Sequence, residues 1–113
     1  MSEQQNTALI KELYAAFGRG DIAAILSRLT DDVEWTTEGP PVIPYTGKMV
    51  GPAQVQKFFS SLASTQENMK LTTDSFIAQG DQVATTGRYS GIVKATGKRF
   101  DCAIAHIHTI RDG

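Results

Sequence analysis

Carboxylates are concentrated in one short stretch of the sequence, residues 31–41. It reads DDVEWTTEGPP and contains Asp31, Asp32, Glu34 and Glu38, together with the chain's only tryptophan. Carboxylates of this kind act as general acids and bases when their surroundings separate their pKa values. The plainer interpretation of Asp31 and Asp32 is a solvated turn, because aspartates favour turns between a helix and a strand. The sequence favours the turn.

The two histidines, His106 and His108, are separated by one residue, so on a strand they lie on the same face. Two such histidines can bind zinc, but a zinc site takes three or four ligands and the sequence offers no partner cluster. Cys102 is the only cysteine, so it has no second thiol for a disulfide or a zinc pair. We predict no metal site and no cofactor, with Cys102 as a small buried side chain.

Length and charge limit the classes of function. The chain has 113 residues, which indicates one domain. Its 11 basic and 12 acidic residues are well mixed, so neither nucleic acid nor an anionic membrane is an expected partner. The apolar runs are far shorter than the roughly 20 residues of a membrane span, and the first residues lack a signal-peptide pattern. We therefore predict a cytoplasmic location.

The spacing of apolar residues predicts helices first and a strand meander afterwards. Three- and four-residue spacing predicts a helix over about 5–17. Asp21 is expected to be the N-cap of a second helix, and Pro52 suits the first turn of a third. A short strand is expected at 33–37. Alternation with a period of two then predicts strands near 70–79, 82–93 and 99–111. This order indicates an α+β domain with a mostly antiparallel sheet.

Several motifs follow one another in order over nearly the whole chain. They are YAAFGRGD at 14–21, TDDVEW at 30–35, PYTG at 44–47, GP at 51–52 and AHIHTIRDG at 105–113. Together they resemble the SnoaL-like branch of the nuclear transport factor two and ketosteroid isomerase superfamily. The resemblance implies a cone-like roll, in which a curved sheet wraps around three helices and encloses an apolar pocket. It also implies a homodimer packed through the outer sheet face.

The resemblance can be tested against the catalytic groups of ketosteroid isomerases. Those enzymes use an Asp base and an oxyanion hole made by a Tyr and a protonated Asp. Alignment on Gly20-Asp21 places these roles at Thr37, Leu13 and Ala105, so all three are vacant. Glu38 adjoins the vacant base position and is a candidate replacement base or a surface carboxylate. Steroid isomerisation by that route is not expected.

The same alignment assigns the faces of the last strand. If Ala105 faces the pocket, a period of two also turns Asp101 and Ile107 inward. Asp101 would then be a carboxylate in an apolar setting, where desolvation raises the pKa and suits it to proton transfer. The alternative is a solvated Asp101 beside Lys98 or Arg99. Asp101 is the one catalytic candidate that the sequence offers.

The opposite face of that strand would carry Ile104, His106 and His108. We predict that these three residues form the sheet-to-sheet contact of a homodimer. On the preceding strand, Gly87 and Gly91 predict a bend that helps to curve the sheet. Arg88 and Tyr89 between them point to opposite faces, and the sequence does not decide which of the two lines the pocket.

The predicted binding site is an apolar pocket for a small ligand. Its lining residues are Tyr14, Phe17, Trp35, Tyr45, Phe58 and Asp101. Trp35 is either a pocket wall or plain core. Residues 38–51 hold three of the four prolines, and loops of that length are usually functional or mobile, so we expect a lid carrying Tyr45.

Two classes of function follow. The first is a small-molecule-binding domain that acts as an isomerase, cyclase or dehydratase by proton transfer. The alternative, favoured by the vacant positions, is a non-catalytic ligand-binding or dimeric protein-association module.

The chain closes on Asp112-Gly113, a hairpin-turn signal that leads to one further strand in the family. We expect residues 99–111 to form an edge that a partner subunit covers, or a shortened form of marginal stability.

Overall fold

A computed structural model describes residues 2–38 and 46–111. The helices of these ranges are α1 (Glu3–Gly18), α2 (Ile22–Leu26) and α3 (Pro52–Thr65), and the strands are β1 (Glu34–Thr37), β2 (Gly47–Val50), β3 (Gln66–Gln79), β4 (Gln82–Val93) and β5 (Arg99–Thr109). In the described part of the chain, β1 pairs with β2, and β3, β4 and β5 form a second antiparallel sheet in that order. The predicted α+β class is confirmed.

Local signals begin each helix. At α1 the Ser2 hydroxyl accepts the N–H of Gln5 at 3.1 Å, and the Gln5 side chain accepts the N–H of Ser2 at 2.9 Å, which is a capping box. At α2 the carboxylate of Asp21 accepts the N–H of Ala24 at 3.2 Å, as predicted for an N-cap. Pro52 occupies the first turn of α3. These local signals fix where each helix starts.

The core lies where α1 packs on β3 and β4, and where α3 packs on α2, β2 and β3. Its buried apolar side chains are Leu9, Ile10, Ala16, Ile25, Val55, Phe58, Leu62 and Val83. Each large apolar side chain contributes about 1.5–3 kcal/mol when fully buried. None of the helices in the described ranges is long and apolar enough to cross a bilayer. The cytoplasmic location stays a prediction.

The segment predicted as one loop, residues 38–51, contains a strand. β2 pairs with β1 so that Trp35 lies opposite Met49 and Thr37 opposite Gly47. The pairing is possible because the three prolines of the segment all precede β2 and leave its N–H groups free to bond. Tyr45 lies outside the described residues, so the lid stays a prediction.

The register between β3 and β4 shifts at two places, next to the two glycines of β4. One shift lies between Thr73 and Ser75, where Gly87 pairs with Thr73, and the other between Glu67 and Lys70, beside Gly91. A Cβ added to Gly87 would overlap the backbone carbonyl of Thr72. Bulges of this kind bend a strand. The two glycines predicted to curve the sheet therefore lie at its two register shifts.

The faces of β5 are the reverse of those predicted. The hydroxyl of Tyr14 on α1 lies within hydrogen-bonding distance of both His106 and His108. These histidines, and Ile104 two residues earlier, therefore face α1 and not the outer side. The prediction failed because a one-residue slip in alignment exchanges the two faces of a strand. The homodimer stays a prediction, but these three residues do not lie on the outer face.

The outer face carries the residues expected inside. Asp101 forms an ion pair with Arg88 at 3.0 Å, with 62% of its side chain exposed. Ile107 is 74% exposed, and Ile77 on β3 is 62% exposed. Tyr89 points the other way and donates a hydrogen bond to Gln66 at 2.5 Å. The inward orientation predicted for Asp101 and Ile107 is therefore wrong.

Cys102 is exposed, and the prediction that it is buried is wrong. The thiol donates to the carbonyl oxygen of Tyr89 at 3.6 Å. It remains accessible because the helices pack mainly on β3 and β4, so β5 receives less cover. Within the described residues β5 pairs with β4 alone, while residues 112–113 lie outside them.

Candidate functional site

Three aromatic side chains with polar atoms meet between α1 and β5. Tyr14 Oη lies 2.7 Å from His106 Nδ1 and 2.9 Å from His108 Nε2. The ring of Tyr14 is parallel to that of His106, with centroids 6.0 Å apart, and nearly perpendicular to that of His108, with centroids 5.7 Å apart. We call these three residues the Tyr-His cluster. It places one phenol between two imidazoles.

The number of hydrogens limits how the Tyr-His cluster can be bonded. A phenol has one hydrogen, so Tyr14 can donate to one imidazole only, and the other imidazole must then donate its N–H to Tyr14. That is the first of two possible arrangements. In the second arrangement both imidazoles donate to the oxygen of Tyr14, and the phenol hydrogen is directed to a third acceptor. Thr85 Oγ1 is buried and makes no hydrogen bond within the described residues. The second arrangement makes Tyr14 a strong donor, because hydrogen bonds in a chain polarise one another.

Burial sets the charge of the Tyr-His cluster. It raises the pKa of Tyr14 to about 12, and the nearby Thr85 hydroxyl offsets this only in part. Burial also lowers the pKa of His106. The pKa of His108 falls to about 4, first because of burial and then because of the charge on His106. At neutral pH the phenol is protonated and both imidazoles are neutral, so the cluster can both donate and accept protons.

We expect the domain to lose stability between pH 6.5 and 4.5. In this window an unfolded histidine, with a pKa near 6.5, binds a proton that folded His108 does not, so acid favours unfolding. Above pH 6.5 the histidine is neutral in both the folded and the unfolded state, so the free energy of unfolding has its full value. Acidification to pH 4.5 should lower it by about 2 kcal/mol. This value allows for the partial exposure of His108, which weakens the effect. Urea unfolding at pH 7 and 4.5 measures it. In His108→Gln the loss should be clearly smaller, and an equal loss would contradict the assignment.

An open groove with a volume of about 420 Å³ lies beside the Tyr-His cluster, between α1 and β3. Its lining residues are Lys11, Tyr14, Ala15, Leu71, Thr73 and Phe76. Phe76 lies next to both Lys11 and Tyr14. The ammonium nitrogen of Lys11 is 5.2 Å from the centroid of the Phe76 ring, and the centroids of the Phe76 and Tyr14 rings are 6.1 Å apart. Tyr14 belongs to both the groove and the Tyr-His cluster. A molecule in the groove would therefore contact the residue that is bonded to both histidines.

Three of the residues predicted to line the pocket meet elsewhere. Trp35 lies 5.5 Å from Phe58 and 5.6 Å from Phe59 between ring centroids, and Phe17 lies 6.1 Å from Phe59. Phe58 is buried, whereas Phe17 and Trp35 are half-buried. The structure brings Phe17, Trp35 and Phe58 into one aromatic cluster and places Tyr14 in another. Phe59, which joins the first cluster, was not among the predicted residues.

Asp101 lies apart from both clusters. It borders a smaller depression of about 270 Å³, together with Ser90 and Arg99 among others. Because Asp101 is exposed and paired with Arg88, it lacks the apolar surroundings on which its predicted role depended. Glu38, the other candidate carboxylate, is exposed at the end of β1.

Sequence reasoning did not bring Tyr14 and His106 together, although a signal was present. Tyr14 follows Leu13 by one residue, and His106 follows Ala105 by one residue. Leu13 and Ala105 are the positions that the resemblance aligned with the isomerase oxyanion pair. A single shift of one residue in both elements would have placed a tyrosine and a histidine at that pair.

The sequence profile of the SnoaL-like domain matches residues 10–113. The chain belongs to the SnoaL-like domain family. An NTF2-like protein of unknown function from Burkholderia pseudomallei has the same fold, with a TM-score of 0.89 and 26% identity over 100% of this chain and 85% of that protein. The predicted membership of the nuclear transport factor two superfamily is confirmed.

Two further relatives have a higher percentage of identity to this SnoaL-like domain over the residues that align. TerC, co-crystallised with polyporic acid, is 32% identical and superposes with a TM-score of 0.84 over 96% of this chain and 83% of TerC. The ribosomal protein uS12 methylthiotransferase RimO of Chlamydia caviae is 30% identical over 76 residues, which are 65% of this chain. The SnoaL-like domain spans only 16% of that methylthiotransferase.

Proposed function

We propose that this SnoaL-like domain binds a small molecule in the groove between α1 and β3 and transfers a proton to it through Tyr14. The observation that carries the proposal is a protonated phenol at the groove, held 2.7 and 2.9 Å from two neutral imidazole nitrogens. A relative, TerC, was co-crystallised with polyporic acid, which supports a small-molecule ligand. The reaction class is isomerisation, cyclisation or dehydration by proton transfer, with no cofactor.

Tyr14 acts as the general acid in this proposal. When a proton leaves the carbon next to a ligand carbonyl for water, charge develops on the carbonyl oxygen, and Tyr14 gives that oxygen its phenol proton. The Nδ1–H of His106 then returns a proton to Tyr14 while Nε2 of the same ring takes one from solvent, so the imidazole stays neutral. His106 suits this role because it is the more exposed of the two histidines. The enol leaves with the proton that Tyr14 supplied, and proton exchange with solvent returns His106 to its first tautomer.

Exchange of the acidic C–H protons of 2-tetralone in D₂O tests this function. Nuclear magnetic resonance follows the loss of the C1 proton signals with and without protein at pH 7.5. We expect protein to accelerate exchange beyond an equal concentration of free imidazole and phenol, because the groove holds the ketone against Tyr14. Polyporic acid should inhibit it by competing for the groove. Exchange no faster than with free imidazole and phenol would overturn the proposal.

A non-catalytic binding role is the alternative. It is favoured because the described residues that line the groove include no carboxylate to serve as a base. Under this alternative polyporic acid would bind, as judged by calorimetry, but 2-tetralone would exchange at the uncatalysed rate. The two functions therefore give different results in the same pair of measurements.

A further inference from the structure

Among the described residues that line the groove, Lys11 is the one with a charged side chain. Lys11 and Tyr14 are three residues apart on α1, so they lie on the same face of the helix. Both contact Phe76, which fixes their positions along the groove. Lys11 forms no ion pair within the described ranges 2–38 and 46–111. Its positive charge is therefore available to a ligand.

The rest of the groove is suited to a flat apolar body. Ala15, Leu71 and Phe76 supply apolar walls, and Thr73 adds one hydroxyl. An aromatic ring such as that of Phe76 offers a face or an edge against which a second ring can stack. Apolar walls with a few placed polar groups are typical of small-molecule sites. Two of the three polar side chains, Lys11 and Tyr14, lie together on α1.

We propose that the groove selects flat apolar acids, with Lys11 binding the anionic oxygen and Tyr14 donating a hydrogen bond to the same group. The inference takes the location of the site from the proposed function, but it does not depend on proton transfer. An ammonium is a compact charge with three donors, which suits a carboxylate or an enolate oxygen. The neutral histidines add no competing charge. Since the net charge of the chain is −1, any preference for anions must come from this local arrangement.

The test compares two probes of nearly equal shape, 2-naphthoate and 2-naphthamide. Isothermal titration calorimetry at pH 7.5 and low salt gives both dissociation constants. We expect the naphthoate to bind about fivefold more tightly, the upper range for a solvent-accessible ion pair. In 0.5 M NaCl the difference should shrink, because salt screens exposed charges.

Three variants identify the residue responsible. Lys11→Gln should bind both probes equally, and Lys11→Arg should retain the preference. Lys57→Gln is the matched control, because Lys57 is exposed on α3 and does not line the groove. Its replacement by glutamine changes the net charge by the same amount as Lys11→Gln. It should behave like the wild-type protein.

The outcomes separate this inference from the proposed function. Equal binding of the two probes to the wild-type protein, binding of neither probe, or a preference that survives in Lys11→Gln would each overturn the inference. A preference lost in Lys11→Gln alone supports it, whether or not 2-tetralone exchanges protons. Exchange without a naphthoate preference supports the proposed function and refutes the selection of acids.

Discussion

Replacement of Tyr14 by phenylalanine should slow the exchange of 2-tetralone protons by about a hundredfold, the lower range for loss of a general acid. The change removes one oxygen atom and leaves the ring that packs against Phe76. The protein should therefore stay folded. His106 and His108 lose a bonding partner, but His106 is exposed and His108 is only partly buried, so water can replace the hydroxyl.

Tyr89→Phe is the matched control for this variant. Tyr89 also uses its hydroxyl in a hydrogen bond, to Gln66, and it lies on β4 outside the groove lining. Loss of that hydroxyl should lower stability slightly and leave exchange unchanged. Equal slowing in both variants would show that a general loss of packing, and not the phenol of Tyr14, is responsible. Unchanged exchange in Tyr14→Phe would remove Tyr14 from the mechanism.

Replacement of Gly87 by alanine should destabilise the domain by about 3 kcal/mol, the upper range for overpacking a core. The added Cβ would overlap the carbonyl oxygen of Thr72 and lie 3.0 Å from its carbonyl carbon and 3.1 Å from the Cα of Thr73. All three atoms belong to the backbone of β3, which cannot move aside as a flexible side chain could. The strands must separate at the bulge. Urea unfolding monitored by circular dichroism measures the change.

Gly18→Ala provides the control for the glycine replacement. A Cβ on Gly18 meets nothing within 4 Å, and the residue ends α1 without a positive φ. Since alanine favours helix over glycine by up to about 1 kcal/mol, this variant should be as stable as the wild-type protein or more so. If Gly87→Ala were equally harmless, the close approach of β3 to β4 would be wrong.

The sequence by itself determined every helix and strand except β2, and the order in which they follow one another. Asp21 predicts an N-cap and Pro52 predicts a first helical turn from chemistry that acts within a few residues. The spacing of apolar side chains distinguishes helix from strand for the same reason. The strand β2 was missed because it is short and follows three prolines in a segment with the composition of a loop. The meeting of Phe17, Trp35 and Phe58 agrees with the family resemblance, and no local pattern required it.

Only the tertiary structure decided which residues of β5 face the groove side. Apolar side chains occur on both faces of this strand, with Ile104 on one and Ile107 on the other, so hydrophobic burial does not select a face. A period of two is unchanged by a slip of one residue, while every side chain changes sides. The packing of α1 on the sheet settles the choice, because it brings Tyr14 to His106 and His108 from 92 and 94 residues away. A contact over such a separation depends on how two elements pack, which neither element encodes alone.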